Sequence, residues 1–182
     1  MSTSPIDSGI DELALDIEKC VLLLDKEDSQ FYRRTYVRAL FAYLEGFAYM
    51  TRQFAIEMDQ ITYKRFGVMD WDRHFLLHDE IPSIGNNGKI TKQSNRVSFI
   101  DHFAFSLKAH ADVVGYKGDI LADNGWQSLK GALKIRHRLT HPKKSVDVQV
   151  TDEDIQLCKS GYNWFSKLIV ITFRKSFEEQ QV

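Results

Sequence analysis

YRRTYVRALFAYLEGFAYMTRQF, from Tyr32 to Phe54, sets the architecture. Tyr32, Tyr36, Leu40, Tyr43, Phe47, Met50 and Phe54 step by three and four. That spacing lines one face of a 3.6-residue period, and no proline interrupts it. A long amphipathic helix over about residues 29–65 follows. Gly46 stands inside it, where glycine costs about 1 kcal/mol against alanine. A glycine kept at that cost is expected where another backbone comes close.

The same period recurs on both sides. Ile10, Leu13, Ile17, Cys20, Val21 and Leu24 predict a helix over about 8–25, with Ser8 and Asp11 as its capping box. Residues 70–80 (DWDRHFLLHDE) read as one short helix. Val97, Ile100, Phe103, Leu107 and Val114 mark a helix over about 95–115. Trp126, Leu129, Leu133, Ile135 and Leu139 mark another over about 125–140, which Pro142 stops. Ser145 to Val150 alternates and reads as a short extended stretch. Thr151 and Asp154 cap a last helix over about 152–177, with Ile155, Cys158, Tyr162, Phe165, Leu168, Ile169 and Phe173 along it. The segment 82–95 loses all periodicity. Its Asn87-Gly88 turn fits either a small hairpin or an ordered loop. The fold class is all-α: a helical bundle of about five main helices and one short one, in a single domain over 1–182.

Composition is that of an ordinary globular chain, 43% hydrophobic and 27% charged over 182 residues. A net charge of −1 gives no global attraction for nucleic acid, so any such attraction must be local. Cys20 and Cys158 lie in apolar-periodic stretches and read as small buried hydrophobes. The start, MSTSPIDSGIDE, has neither the basic nor the apolar region of a signal peptide. No apolar run is long enough to span a membrane. A cytoplasmic location is the expectation.

Charge is nevertheless uneven. Residues 7–28 carry eight acids against Lys19 and Lys26, whereas Lys130, Lys134, Arg136, Arg138, Lys143 and Lys144 face no acid between 125 and 146. The densest part is KIRHRLTHPKK, Lys134 to Lys144. Cations at a helix C-terminus gain about 0.3–1 kcal/mol each from the macrodipole, which accounts for Lys134, Arg138, Lys143 and Lys144 as a solvated helix end. The same four cations could hold phosphate groups of RNA. Arg136 lies three residues after Leu133, beside the apolar stripe. A partly shielded arginine needs an anion or a carboxylate. His141 sits at the break before Pro142, where its ring can turn along the helix end.

An arginine and an imidazole at one helix end suit RNA cleavage. Histidine can take a proton from a 2′-hydroxyl or give one to a leaving 5′-oxygen. Arginine can hold the phosphate oxygens as charge builds on them. Arg136-His-Arg-Leu-Thr-His141 resembles the Arg-x4-6-His signature of the HEPN superfamily, with four residues between the pair. Its place at the end of the penultimate long helix also fits. The resemblance implies a homodimer with both motifs at the interface and metal-independent endoribonuclease activity that leaves a 2′,3′-cyclic phosphate. It implies a role in toxin–antitoxin or phage-defence systems, with an antitoxin or operon partner. Arg136 would hold phosphate and His141 would act as acid or base, with neither cofactor nor metal. Two features depart from the common pattern. His137 stands where asparagine is frequent, and it would support His141. Lys143 stands where some toxin members carry tyrosine, so no tyrosine-modifying antitoxin is inferred.

Other candidates are weaker. Glu45 and Arg52 share a face of the long helix, and Glu45 could brace Arg136 or orient a histidine; an ordinary polar pair is the simpler reading. His74 and His78 are spaced to share a metal, but Phe75 replaces the glutamate of a HExxH motif. His102 and His110 read as surface or partly buried histidines. Tyr32, Tyr43, Phe47, Tyr49 and Phe54 could stack on bases, though their helical spacing favours core or interface. Two further function classes stand beside the ribonuclease. One is a non-catalytic HEPN-like module binding a nucleotide, RNA or a protein. The other is a helical scaffold whose basic end pairs with its acidic first helix.

Overall fold

A computed structural model describes residues 5–179, with side chains from Gly9 to Thr172. Six α-helices and one hairpin make up the fold: α1 (Pro5–Lys26), α2 (Gln30–Phe66), α3 (Trp71–Leu77), β1 (Glu80–Ile84), β2 (Ile90–Ser94), α4 (Phe99–Val113), α5 (Asn124–Thr140) and α6 (Asp152–Glu179). The fold is all-α apart from that hairpin. Helix α1 begins ahead of Ser8, so Ser8 is not its cap. The side chains of Ser8 and Phe173 lie outside the described residues.

The chain forms two compact units, one from the segment up to Phe47 together with the segment from Gly118, the other from Ala48 to Lys117. In the first, α1, the first half of α2, α5 and α6 bury Ile17, Tyr36, Leu40, Leu44, Leu129, Ile135, Cys158 and Phe165. The buried face of α2 is wider than the Tyr32–Phe54 stripe, because Val37, Phe41 and Leu44 are also shut in. Tyr43 and Phe47 meet Phe165 edge-on, with ring centroids 5.9 and 5.0 Å apart. These aromatics build core and are not a platform for bases. Cys20 and Cys158 are free and buried.

Close helix approach rests on glycines. A Cβ on Gly161 would sit 3.0 Å from the Cα of Leu129, so α5 and α6 nearly touch there. A Cβ on Gly125 would fall 2.1 Å from the Cβ of Trp164. At Gly46 the neighbours are the side chains of Ile10 and Leu13, at 3.0 and 3.2 Å, and not the expected backbone. The expected capping box of α6 is present: Asp154 N–H donates to Thr151 Oγ1 at 3.2 Å, and Thr151 N–H to Asp154 Oδ2 at 2.8 Å. Ser145–Val148 forms a 3-10 turn instead of the extended stretch expected, because Asp147 draws in the backbone ahead of it.

In the second unit, Ala55, Ile56, Leu77 and Ala109 form a small core with Phe105 and Val113 against it. Helix α3 is shorter than the 70–80 reading. Asp70 caps its start by accepting from Arg73 N–H at 3.0 Å, and the chain is extended by Glu80. Segment 82–95 resolves as a hairpin, with Ile84 opposite Ile90 and Gly88 at φ +73° in the turn. Glycine adopts that left-handed backbone at little cost.

Candidate phosphodiester site at the end of α5

Helix α5 starts at Asp123, whose carboxylate accepts from Gly125 N–H at 2.8 Å. It runs unbroken to Thr140. His141 is its C-cap, with φ −127°, ψ 60° and its N–H bonded to the His137 carbonyl at 3.0 Å. Pro142 cannot continue the helix, so the basic segment is split between a helix face and the turn after it.

Arg136 is about one-third exposed and reaches the first half of α2. Its Nη2 donates to Glu45 Oε1 at 2.8 Å. The carboxylate that a half-shielded arginine requires is therefore Glu45, and Glu45 braces Arg136. An open cleft of about 400 Å³ lies over this pair, lined by Val37, Arg38, Phe41, Glu45, Arg136 and Thr140 among others. Arg38 went unnoticed in the sequence. It stands seven residues before Glu45, two helical turns along the same face, and that period was the available signal. Arg52 pairs instead with Asp79 at 3.1 Å.

Arg138 is engaged elsewhere. It donates to the Asp147 carbonyl at 2.9 Å, to the Gln149 carbonyl, and to the carboxylate of Asp154 on α6. The basic helix thus finds its acids in α2 and α6. Between its arginines and the acidic helix α1 no ion pair occurs among the described residues, contrary to the pairing the scaffold reading expects. Asp147 accepts from the N–H groups of Lys143 and Lys144, at 2.8 and 2.9 Å. Those backbone donors hold its carboxyl below the usual range. Lys134, Lys143 and Lys144 are exposed and form no ion pair among the described residues.

His137 and His141 are both exposed, with ring centroids 5.2 Å apart and planes inclined at 58°. His141 is not among the residues lining the Arg136 cleft. The other histidines are engaged in the second unit. His74 and His78 meet through their Nε2 atoms at 3.3 Å, and the His102 ring meets the Leu76 carbonyl at 3.0 Å. His110 is buried with its ring 5.7 Å from that of Phe54. No cluster of three or more His, Cys, Asp or Glu fit to hold a metal occurs among the described residues. No helix among them is long and apolar enough to cross a membrane.

Comparison with family models, with curated proteins and with solved structures finds no match.

Proposed function

We propose that the chain is a HEPN-like endoribonuclease that cleaves RNA at the end of α5. The supporting observation is a half-shielded arginine, Arg136, in an open cleft on the same helix end as an exposed imidazole, His141. Arg136 and Arg38 offer paired donors to phosphate oxygens. Lys134, Lys143 and Lys144 add positive charge that favours approach of a polyanion. His141 moves the proton. The resemblance adds a homodimer in which a second copy supplies a second histidine, and a place in toxin or phage-defence systems with a cognate antitoxin.

One observation favours a second reading. Glu45 already occupies a donor of Arg136, so the cleft carries less free charge than two arginines would give. A non-catalytic module that binds RNA, a nucleotide or a protein fits that arrangement.

The experiment is cleavage of labelled total RNA in EDTA by wild type, Arg136→Ala and His141→Ala, with end-group analysis. The ribonuclease reading expects wild type to leave 2′,3′-cyclic phosphate and each variant to lose about 100-fold or more in rate. Binding that falls steeply with salt, without cleavage, would move the assignment to the binding module.

A further inference from the structure

The chain carries two pairs of histidines spaced by four residues, His74 with His78 and His137 with His141. The rings meet differently in the two. His74 Nε2 and His78 Nε2 face each other at 3.3 Å. The rings of His137 and His141 pass at 5.2 Å between centroids, with no hydrogen bond joining them among the described residues. His74 and His78 are both half-buried, and both belong to the second unit.

The backbone prepares the first pair. His74 lies in α3, and His78 is the cap that ends it, extended at φ −85° and ψ 147° with its N–H on the Phe75 carbonyl at 3.2 Å. Leu77, fully buried, anchors that helix end, and Trp71 stands edge-on to the His74 ring at 6.1 Å.

One imidazole could donate a hydrogen bond to the other. A straight N–H···N bond of this length would set the ring centroids about 5.6 Å apart. Two rings directed at one tetrahedral ion would set them about 5.2 Å apart. They are 4.8 Å apart, with planes inclined at 74°, so the nitrogens meet at a bend. Their separation agrees with a shared ion. Zinc–nitrogen bonds of about 2.0–2.1 Å that span 3.3 Å enclose an angle of about 104–111°, the tetrahedral value. Neighbouring nitrogens in a square-planar or octahedral site would stand closer, at about 2.8–3.0 Å.

We propose that His74 and His78 chelate one zinc ion through their Nε2 atoms. The site belongs to the second unit and does not rest on the ribonuclease reading. No third His, Cys, Asp or Glu completes a metal-holding group among the described residues, so water fills the other two positions. The ion closes a ring between α3 and its cap residue, and so holds that helix end. Two ligands in place of four put the dissociation constant at about 1–100 µM. His74 Nδ1 is buried without a hydrogen-bond partner among the described residues, and the lack of that support also keeps the affinity below that of a closed structural site.

The test uses the full chain, stripped with EDTA, dialysed, and titrated with zinc chloride in a calorimeter. Wild type, His74→Gln, His78→Gln and His137→Gln are compared, each checked for folding by circular dichroism. Wild type and His137→Gln are expected to bind zinc in that range, and His74→Gln and His78→Gln to lose about tenfold or more in affinity. X-ray absorption of zinc-loaded wild type and His137→Gln reads the site without altering it. Both are expected to show a four-coordinate nitrogen and oxygen shell at about 2.0–2.1 Å, with outer scattering from two imidazoles. Wild type without saturable binding below about 1 mM would overturn the proposal and leave the pair as a hydrogen bond. Affinity unchanged in both His74→Gln and His78→Gln would overturn it. Binding or imidazole scattering lost in His137→Gln would overturn it too, since the ion would then sit on the other pair.

Discussion

Glu45 on α2 and Arg136 on α5 are joined by a hydrogen-bonded ion pair of 2.8 Å at the mouth of an open cleft. Both side chains are more than one-third exposed, so the pair contributes little stability, about 0–1 kcal/mol. Its larger effect falls on whatever anion enters. Glu45→Gln keeps an acceptor for the guanidinium and removes the competing charge. RNA affinity is expected to rise in that variant. The slope of log K against log salt should steepen by about 0.7, as one more phosphate contact forms on a single strand. Fluorescence anisotropy over a salt series measures both. Unchanged affinity and slope would mean that Glu45 does not compete with phosphate for Arg136.

Arg138 holds the far side of the same helix end. It crosslinks α5 to the carbonyls of Asp147 and Gln149 and to the Asp154 carboxylate that also caps α6. Arg138→Ala should cost about 1.5–3 kcal/mol, the range for hydrogen bonds to charged groups. Arg138→Lys should recover little, because one ammonium cannot reproduce the planar fork. Urea unfolding of the three proteins gives the comparison.

Gly125 is the tightest point between α5 and α6. A methyl there would overlap the Cβ and Cγ of Trp164 at 2.1 and 2.3 Å. These atoms lie at the root of a buried side chain and cannot swing aside. Gly125→Ala is expected to destabilise by about 1–3 kcal/mol, the range for overpacking. Thermal unfolding followed by calorimetry reads the loss. A neutral result would show that α5 and α6 separate freely.

Acid should weaken the second unit first. Burial lowers the pKa of His78, His102 and His110; the neighbouring His74 and Lys92 add to this at His78, and Arg52 at His102, against the opposing pull of Asp79 on both. Such groups bind protons more readily in the unfolded chain. Their contribution is complete above the unfolded histidine pKa of about 6.5 and is lost as pH falls below it. Amide hydrogen exchange at pH 7.5 and at pH 5.5, with intrinsic rates corrected, should show lost protection between Ala48 and Lys117 before the rest of the chain. Uniform loss would contradict the assignment.

Helical periodicity made the six helices legible, since amphipathic stripes and caps such as Thr151–Asp154 are local properties. What escaped was set by tertiary partners or by short-range competition. The hairpin over 80–94 could not be separated from an ordered loop, because two of its strand residues, Ile84 and Ile90, pair across a turn and bury no face. The 3-10 turn at Ser145–Val148 depends on Asp147 reaching back to two amides, a contact that the alternation of Val146, Val148 and Val150 does not reveal. Within the site, Arg136, His137 and His141 were visible as a motif. Arg38 and the partner of Arg138 were not, because each is brought in by a different helix. Pro142 stops the helix only after His141, whose ring lies 5.2 Å from that of His137 and inclined to it at 58°.

The two cysteines carry a practical consequence. Cys20 and Cys158 are both shut inside the first unit, and burial pushes their thiols up, that of Cys158 to about 12. Neither is poised to react with a maleimide in the native fold, since the thiolate is the nucleophile. A cysteine introduced at exposed Lys143 would be the sole reactive thiol. The native chain therefore serves, without removal of any residue, as its own background for attaching a dye two positions from His141.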